Sequence, residues 1–370
     1  MRIGVLTSSR ADYGIYLPLI KALKADKFFE LEIIAFGTHL SWFHGRTIDR
    51  IKADGFDIQY CIENMLLTDS PSGVATAMGL TTIKFADFWH EHAFNFDLVF
   101  CLGDRYEMFS AVMSGVPFQI QFAHLHGGET TLGAIDNIFR HGITLASKYH
   151  FVATTDAALR VKQIINSDQH VYNVGALSLD NLTELALLTI DEFKKLWNID
   201  LSKKTILITF HPETVDYNNN KHYTEELIKA INGLDNYQIV ITMPNADTEG
   251  NAIRQSLINS FSHSGNVFLV ENLGSLSYFT VMKYCFLLLG NTSSGIIEAA
   301  SFGKYVINIG DRQKGRLAGS NVIHVPIEAE NILNAVREIE NEEDWSGGNI
   351  YFNNGATEQI VKILKEYNNG

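Results

Sequence analysis

FLLLGNTSSGIIEAASFGKYVINIG, residues 286–310, is the stretch whose reading decides the fold. Its first four residues are apolar and deliver the chain to Gly290. A helix is expected to begin around Thr292 to Ser294, and a second apolar run follows at 305–309. Apolar run, glycine-bearing polar turn, helix and second apolar run make a strand–helix–strand unit of a parallel sheet.

The same rhythm extends toward both ends. Upstream, IGVL (3–6) leads into TSSRADYG and a helical pattern at 15–23, and LEIIAF (31–36) ends in GTHLS. DLVFCL (97–102) ends in GDR, FQIQF (118–122) precedes HLHGGE, and FVA (151–153) precedes TTDAA. The rhythm pauses around VGALSLDNL (174–182) and restarts at 205–210, 238–243, 267–270, 286–289 and 305–309. Such alternation predicts an α/β protein of two facing, Rossmann-like, doubly wound domains with helices on both faces of each sheet. The expected boundaries are 1–179, 180–350 and a helical tail at 351–370 that packs back on the first domain; Ile360, Ile363 and Leu364 carry its helical pattern.

A chain of 370 residues, 46% apolar, can supply two cores of ordinary size. Its net charge of −13, from 42 acidic and 29 basic side chains, is poorly suited to binding nucleic acid non-specifically. Cys61, Cys101 and Cys285 lie far apart and form no CxxC pair, which argues against a disulfide framework and a thiolate zinc site. The N-terminus turns polar after Leu6, and no apolar run reaches the ~18 residues of a membrane span. A cytoplasmic protein without a membrane partner is expected.

In open α/β sheets the ligand crevice lies beyond the carboxyl ends of the strands, so polar residues after each run carry the most weight. Around 292–294, free backbone N–H groups and the hydroxyls of Thr292, Ser293 and Ser294 suit an anion such as a diphosphate. Glu298, about one turn on, is placed to accept hydrogen bonds from ribose. The competing reading is ordinary N-capping, with the glutamate in solvent. No GxxxxGK[ST] or GxGxxG occurs, which disfavours an NTPase or a nicotinamide enzyme. GDRQKGR (310–316) offers Arg312 as the cation for phosphates, and at least one of Lys314 and Arg316 reads as a solvated surface charge.

The first half supplies ionisable groups instead: Arg10 and Asp12 after one strand, Asp104, Arg105 and Glu107 after another, and His124, His126, Glu129, Asp136, Arg140 and His141 in AHLHGGETTLGAIDNIFRH. HxH can bind metal, but no third ligand accompanies it, and a proton-transfer cluster accounts better for imidazoles among carboxylates. In the second half His211 ends the run before PET, and Asn245 follows ITMP.

Taken together, SSRADYG, CLGDRYEMFS, HLHGGETTLGAIDNIFRH, FHPET, PNAD, GNTSSGIIE and NIGDRQKGR resemble, in collinear order over nearly the whole chain, the hydrolysing UDP-N-acetylglucosamine 2-epimerase family. The resemblance is greatest to its bacterial sialic-acid and legionaminic-acid branch. It implies a GT-B type fold, no cofactor, no metal, a homodimer, and conversion of UDP-N-acetylglucosamine to UDP and N-acetylmannosamine through 2-acetamidoglucal. The alternatives are the same chemistry on UDP- or GDP-linked 2,4-diacetamido-2,4,6-trideoxyglucose, and a GT-B glycosyltransferase. By position, Asp104 and Asp136 match catalytic acids, Arg105 and Asn245 substrate contacts, and His211 the histidine of the leaving diphosphate. Arg10 and Arg312 match phosphate-side arginines, Thr292 and Ser293 the phosphate-binding hydroxyls, and Glu298 the ribose-binding glutamate. His126 stands where other branches have glutamate, so either His126 or nearby Glu129 is expected to take over that residue's task.

Overall fold

The computed structural model describes all residues except His44, Thr68, Asp69, Asp216, 245–249 and 368–370. Two separate sheets form. The first comprises β1 (Arg2–Thr7), β2 (Glu30–Phe36), β3 (Tyr60–Ile62), β4 (Leu98–Leu102), β5 (Phe122–Leu125), β6 (Tyr149–Val152) and β7 (Val171–Asn173). Its strand order is β3-β2-β1-β4-β5-β6-β7, with every neighbouring pair parallel. The second comprises β8 (Thr205–Thr209), β9 (Gln238–Thr242), β10 (Val267–Val270), β11 (Leu287–Gly290), β12 (Tyr305–Ile309) and β13 (Val322–Val325). Its order is β10-β9-β8-β11-β12-β13, again all parallel.

Helices on both faces bury the central strands completely. β4, β8 and β9 are buried at every residue, which is why they read as continuous apolar runs rather than alternating ones. Chain order reverses between β1 and β4 in the first sheet and between β8 and β11 in the second. At such a reversal the flanking helices leave on opposite faces, and the strand ends open onto a crevice.

Two compact units contain these sheets: Met1–Glu129, Asp136–Thr183 and Tyr351–Gly370 form one, Thr130–Ile135 and Glu184–Ile350 the other. In the first, Ile360 and Leu364 of the helix Ala356–Tyr367 lose all exposure beside Tyr16, Leu19 and Leu23 of the helix Arg10–Ala25. The Asp180 carboxylate accepts the N–H groups of Ala356 and Thr357 at 3.2 and 2.6 Å, satisfying donors that a helix start leaves open. Among the described residues no helix is long and apolar enough to cross a membrane.

One strand expectation is corrected. The run 118–122 is not a strand: Val116–Phe118 forms a 3₁₀ turn around Pro117, and Gln119 takes a left-handed φ of 59°. Proline cannot donate to a ladder and the left-handed residue ends extension, so β5 begins at Phe122 and carries His124 inside the sheet.

Candidate active site

In the first unit the switch point is flanked by the turns after β1 and β4. Ser9 caps the helix Arg10–Ala25 in a capping box with Asp12. The buried Asp12 carboxylate also accepts Ser8 N–H at 2.7 Å and Ser9 N–H at 3.1 Å, so the turn bearing exposed Arg10 is fixed from within. After β4, Gly103 leads to Asp104, which pairs with Arg140. That guanidinium is 1% exposed and also donates to the Glu129 carbonyl at 2.9 Å. Arg140 lies one turn beyond Asp136, the first residue of the helix Asp136–Ala146, so one helix start carries both groups. Arg105 is held by the buried Glu107 carboxylate through Nε at 3.2 Å and Nη2 at 3.0 Å.

Beside β4, the end of β5 presents His126. Its backbone is left-handed, with φ 62°, a conformation that costs a non-glycine residue about 1–3 kcal/mol and collects at functional sites. Its Nδ1 lies 2.9 Å from Glu129 Oε1. An ionised carboxylate can only accept, so Nδ1–H donates to it, and Nε2 is buried without a hydrogen-bond partner. Gly128 makes this turn possible: at φ 77°, a Cβ there would lie 2.3 Å from the Ala157 carbonyl.

His124 does something different. Nε2 donates to the Gly103 carbonyl at 2.8 Å and Nδ1 accepts from Thr144 Oγ1 at 3.1 Å, while burial pushes its pKa down to about 3. Both nitrogens of this neutral ring are engaged in steadying the turn before Asp104. Among the described residues no group of three or more His, Cys, Asp or Glu could hold a metal ion. Half-buried His141 is likewise lowered by burial and by Arg140 and Arg160.

In the second unit the switch point lies between β8 and β11. Gly290 has φ 146°, and a Cβ there would lie 2.0 Å from the Thr209 carbonyl, so only glycine lets β11 turn this close to β8. The expected helix after it is short: Thr292 is the N-cap, accepting from Ser294 N–H at 3.4 Å, and the α-helical span is Ser293–Ile297 before a 3₁₀ turn. Thr292 and Ser294 are half-buried and Ser293 exposed. Glu298 is 6% exposed, so its carboxylate does not face solvent as the capping reading had it. His211 follows β8 and is buried. Arg312 is half-buried, and Lys314 is the solvated charge, exposed and paired with Asp311 at 2.9 Å. Its loop rests on Thr130–Ile135 through Leu132 N–H to the Lys314 carbonyl at 2.9 Å. Asn245 lies outside the described residues.

Among the residues that motif reading left without a role are Arg140, Glu107, Asn291 and Gln313, all almost fully buried; the first three are bonded to a candidate group or its main chain, and Gln313 to the Asn291 carbonyl. For Arg140 a signal existed in its i, i+4 spacing from Asp136; buried amides leave none.

The model of the family described as UDP-N-acetylglucosamine 2-epimerase matches residues 21–365. A UDP-N,N′-diacetylbacillosamine 2-epimerase (hydrolyzing) of Legionella pneumophila is 33% identical over 364 residues, 98% of this chain and 95% of its own. A GDP/UDP-N,N′-diacetylbacillosamine 2-epimerase (hydrolyzing) of Campylobacter jejuni is 35% identical over 325 residues, 87% and 83% of the two chains. The crystal structure of UDP-GlcNAc 2-epimerase from Neisseria meningitidis bound to UDP-GlcNAc superposes with a TM-score of 0.84 at 19% identity, covering 99% of this chain and 100% of that one, a likeness of fold. The chain belongs to the UDP-N-acetylglucosamine 2-epimerase family.

Proposed function

We propose that the protein is a hydrolysing nucleotide-sugar 2-epimerase, which removes the nucleoside diphosphate from a 2-acetamido sugar and inverts C2. The observation that carries this reading is the pair of acid–base units Arg140–Asp104 and His126–Glu129 at the ends of adjacent strands β4 and β5. No carbonyl adjoins C2, so its hydrogen is not acidic enough to leave unaided. Loss of the C1 diphosphate supplies the drive: a base takes the C2 proton, the C1–C2 double bond forms, and the C1–O electrons go to the leaving phosphate oxygen. Water then adds across the 2-acetamidoglucal, its oxygen to C1 while an acid returns a proton to the opposite face of C2. The balance is redox-neutral and consumes one water.

Two protonatable units serve two faces of one ring, and Asp104, His126, Glu129 and Asp136 are the groups assigned to them. His126, its Nδ1 held by Glu129 and its Nε2 left without a partner, is the group assigned as base. Arg105 contacts the substrate, as does Asn245. Thr292, Ser293, Ser294, Arg10 and Arg312 hold the diphosphate, His211 stabilises the charge that develops on it, and Glu298 accepts from ribose.

The Legionella and Campylobacter relatives are 2-epimerases of UDP- and of GDP- or UDP-linked N,N′-diacetylbacillosamine, a 2,4-diacetamido-2,4,6-trideoxy sugar, which favours such a nucleotide sugar as substrate. UDP-N-acetylglucosamine, first suggested by the motifs, is the second reading, supported by the family as a whole. The test is incubation with each nucleotide sugar in deuterium oxide and identification of products by NMR. The expected result is free diacetamido sugar inverted at C2 with one deuterium there, and slower turnover of UDP-N-acetylglucosamine. Preference for UDP-N-acetylglucosamine reassigns the substrate; hydrogen retained at C2 sinks the mechanism; release of sugar only when an acceptor is supplied makes the protein a glycosyltransferase.

A further inference from the structure

Asn291 uses its entire side chain on the main chain of one other residue. His211 N–H donates to Asn291 Oδ1 at 2.7 Å, and Asn291 Nδ2 donates to the His211 carbonyl at 2.8 Å. Its own N–H donates to the Thr209 carbonyl at 3.1 Å, and Gln313 Nε2 donates to its carbonyl at 2.9 Å. Asn291 is wholly buried and Gln313 is 2% exposed.

The register between β8 and β11 ends with Thr209 opposite Gly290. The Asn291 N–H makes the last backbone bond between them, to the Thr209 carbonyl, and beyond it the Asn291 side-chain amide continues the ladder to the His211 main chain. An amide presents one acceptor and donors on the same short plane, as a peptide group does; an aspartate only accepts and an apolar side chain does neither. The amide therefore sets where His211 leaves the sheet. Thr292 follows Asn291 directly, and Gln313 follows Arg312. Three of the groups assigned to the diphosphate thus hang on one buried, hydrogen-bonded frame.

We infer that Asn291 is a positioning residue for His211, aiming its imidazole at the departing diphosphate, with Gln313 as the strut that holds Asn291. This rests on the proposed role of His211. A buried donor and acceptor bonded to a single residue's main chain fix that residue in translation and rotation together, and a misplacement of ~1 Å at a reacting group costs ~100-fold in rate.

The experiment measures kcat, KM and UDP affinity by calorimetry for Asn291→Ala, Asn291→Ser, Gln313→Leu, His211→Gln and the double variant Asn291→Ala with His211→Gln. Asn291→Ala is expected to lower kcat about 100-fold, with UDP affinity within about fivefold because Thr292, Ser293 and Arg312 still bind it. Gln313→Leu should lower kcat about fivefold in the same direction. In the His211→Gln background, Asn291→Ala should cost less than about a further threefold, since a residue acting through His211 has nothing left to position. Full multiplication of the two losses overturns the inference, and so does loss of UDP binding in Asn291→Ala and Asn291→Ser alike, which would mean the residue holds the whole loop. Should Asn291→Ala not fold, the Asn291→Ser and Gln313→Leu variants, each combined with His211→Gln, give the same reading. Wild-type turnover by His211→Gln alone would strike the role of His211 itself, independently of every Asn291 result.

Discussion

The two sheets follow the same strand order, to which the first adds β7, and differ in what they gather where that order reverses. The first unit pairs charge there, with one partner buried in each pair: Arg140 with half-buried Asp104, Glu129 with His126, Glu107 with half-buried Arg105, and Asp12 among hydroxyls and N–H groups. The second sets buried amides and hydroxyls there, Asn291 against His211, Gln313 against Asn291 and Thr209 against Thr242 at 2.6 Å, alongside the buried carboxylates of Glu213 and Glu298. A diphosphate arrives already charged, so fixed donors suffice to hold it. A proton removed from carbon and then returned requires groups that change protonation state, and such groups are stable in a protein interior only when paired. On this reading the division of labour follows from the kinds of group rather than from the fold.

The sharpest way to break the comparison is at Arg140. Its replacement by Met should leave half-buried Asp104 unpaired, costing about 1–3 kcal/mol of unfolding free energy in chemical denaturation and at least ~1,000-fold in kcat/KM. Adding Asp104→Leu should recover most of the stability and none of the activity, because removing both charges ends the desolvation problem without restoring a proton carrier. A double variant that turned over would show that the buried pair is structural. Asp104→Asn, keeping shape but not charge, should lose ~1,000-fold in kcat with UDP binding unchanged.

Next comes His126→Asn. Asparagine tolerates the left-handed backbone better than most residues, so stability should stay within about 1 kcal/mol while kcat falls ~100-fold. Deuterium uptake at C2 during turnover should slow in parallel; uptake at the wild-type rate would move the base elsewhere. In the second unit the same size of cut should register differently. Ser293→Ala should raise KM about tenfold with little change in kcat, and Thr292→Ala should add to that about 1 kcal/mol of destabilisation from the lost cap. If these serine and threonine changes lowered kcat as strongly as His126→Asn, the distinction drawn between the two regions would not hold.

What sequence reading reached, and what it missed, divides along the same physical line. The central strands were legible because burial on both faces leaves uninterrupted apolar runs, as in LVFCL of β4 or TILIT of β8. Three edge strands, β3, β7 and β13, went unread: they are three or four residues long and half-buried or exposed, so neither run nor alternation marks them. Candidate residues after strands were legible by position, since the turns after β1, β4, β8 and β11 flank the two reversals. The partners were not. The two bonds of the Asn291 amide to His211 and the one from Gln313 to Asn291 are set by tertiary geometry, and His124 reads as a second site histidine until β5 is seen to begin late enough to bury it.

The smallest expected effect is in stability against pH, and most of it lies in the first unit, His324 being a lowered histidine of the second. In the first, burial holds His39, His124 and His150 neutral, with pKa values lowered to about 4, about 3 and about 4 from 6.5. The unfolded chain therefore binds protons that the folded chain refuses. The stability these rings contribute is fully present above pH 6.5, declines below it, and is lost as pH falls through 4 toward 3. Lowered carboxylates such as Glu192 and Glu340 begin to matter only below their ordinary value of 4.5, so the interval from 6.5 to 4.5 reports on histidine. Thermal unfolding across that interval should show Tm falling with acid in the wild type, and a shallower slope for His124→Asn, whatever that variant's absolute Tm. An unchanged slope would mean that His124 is not held neutral by burial, and the turn before Asp104 would lose the fixed acceptor and donor that distinguish it from a surface loop.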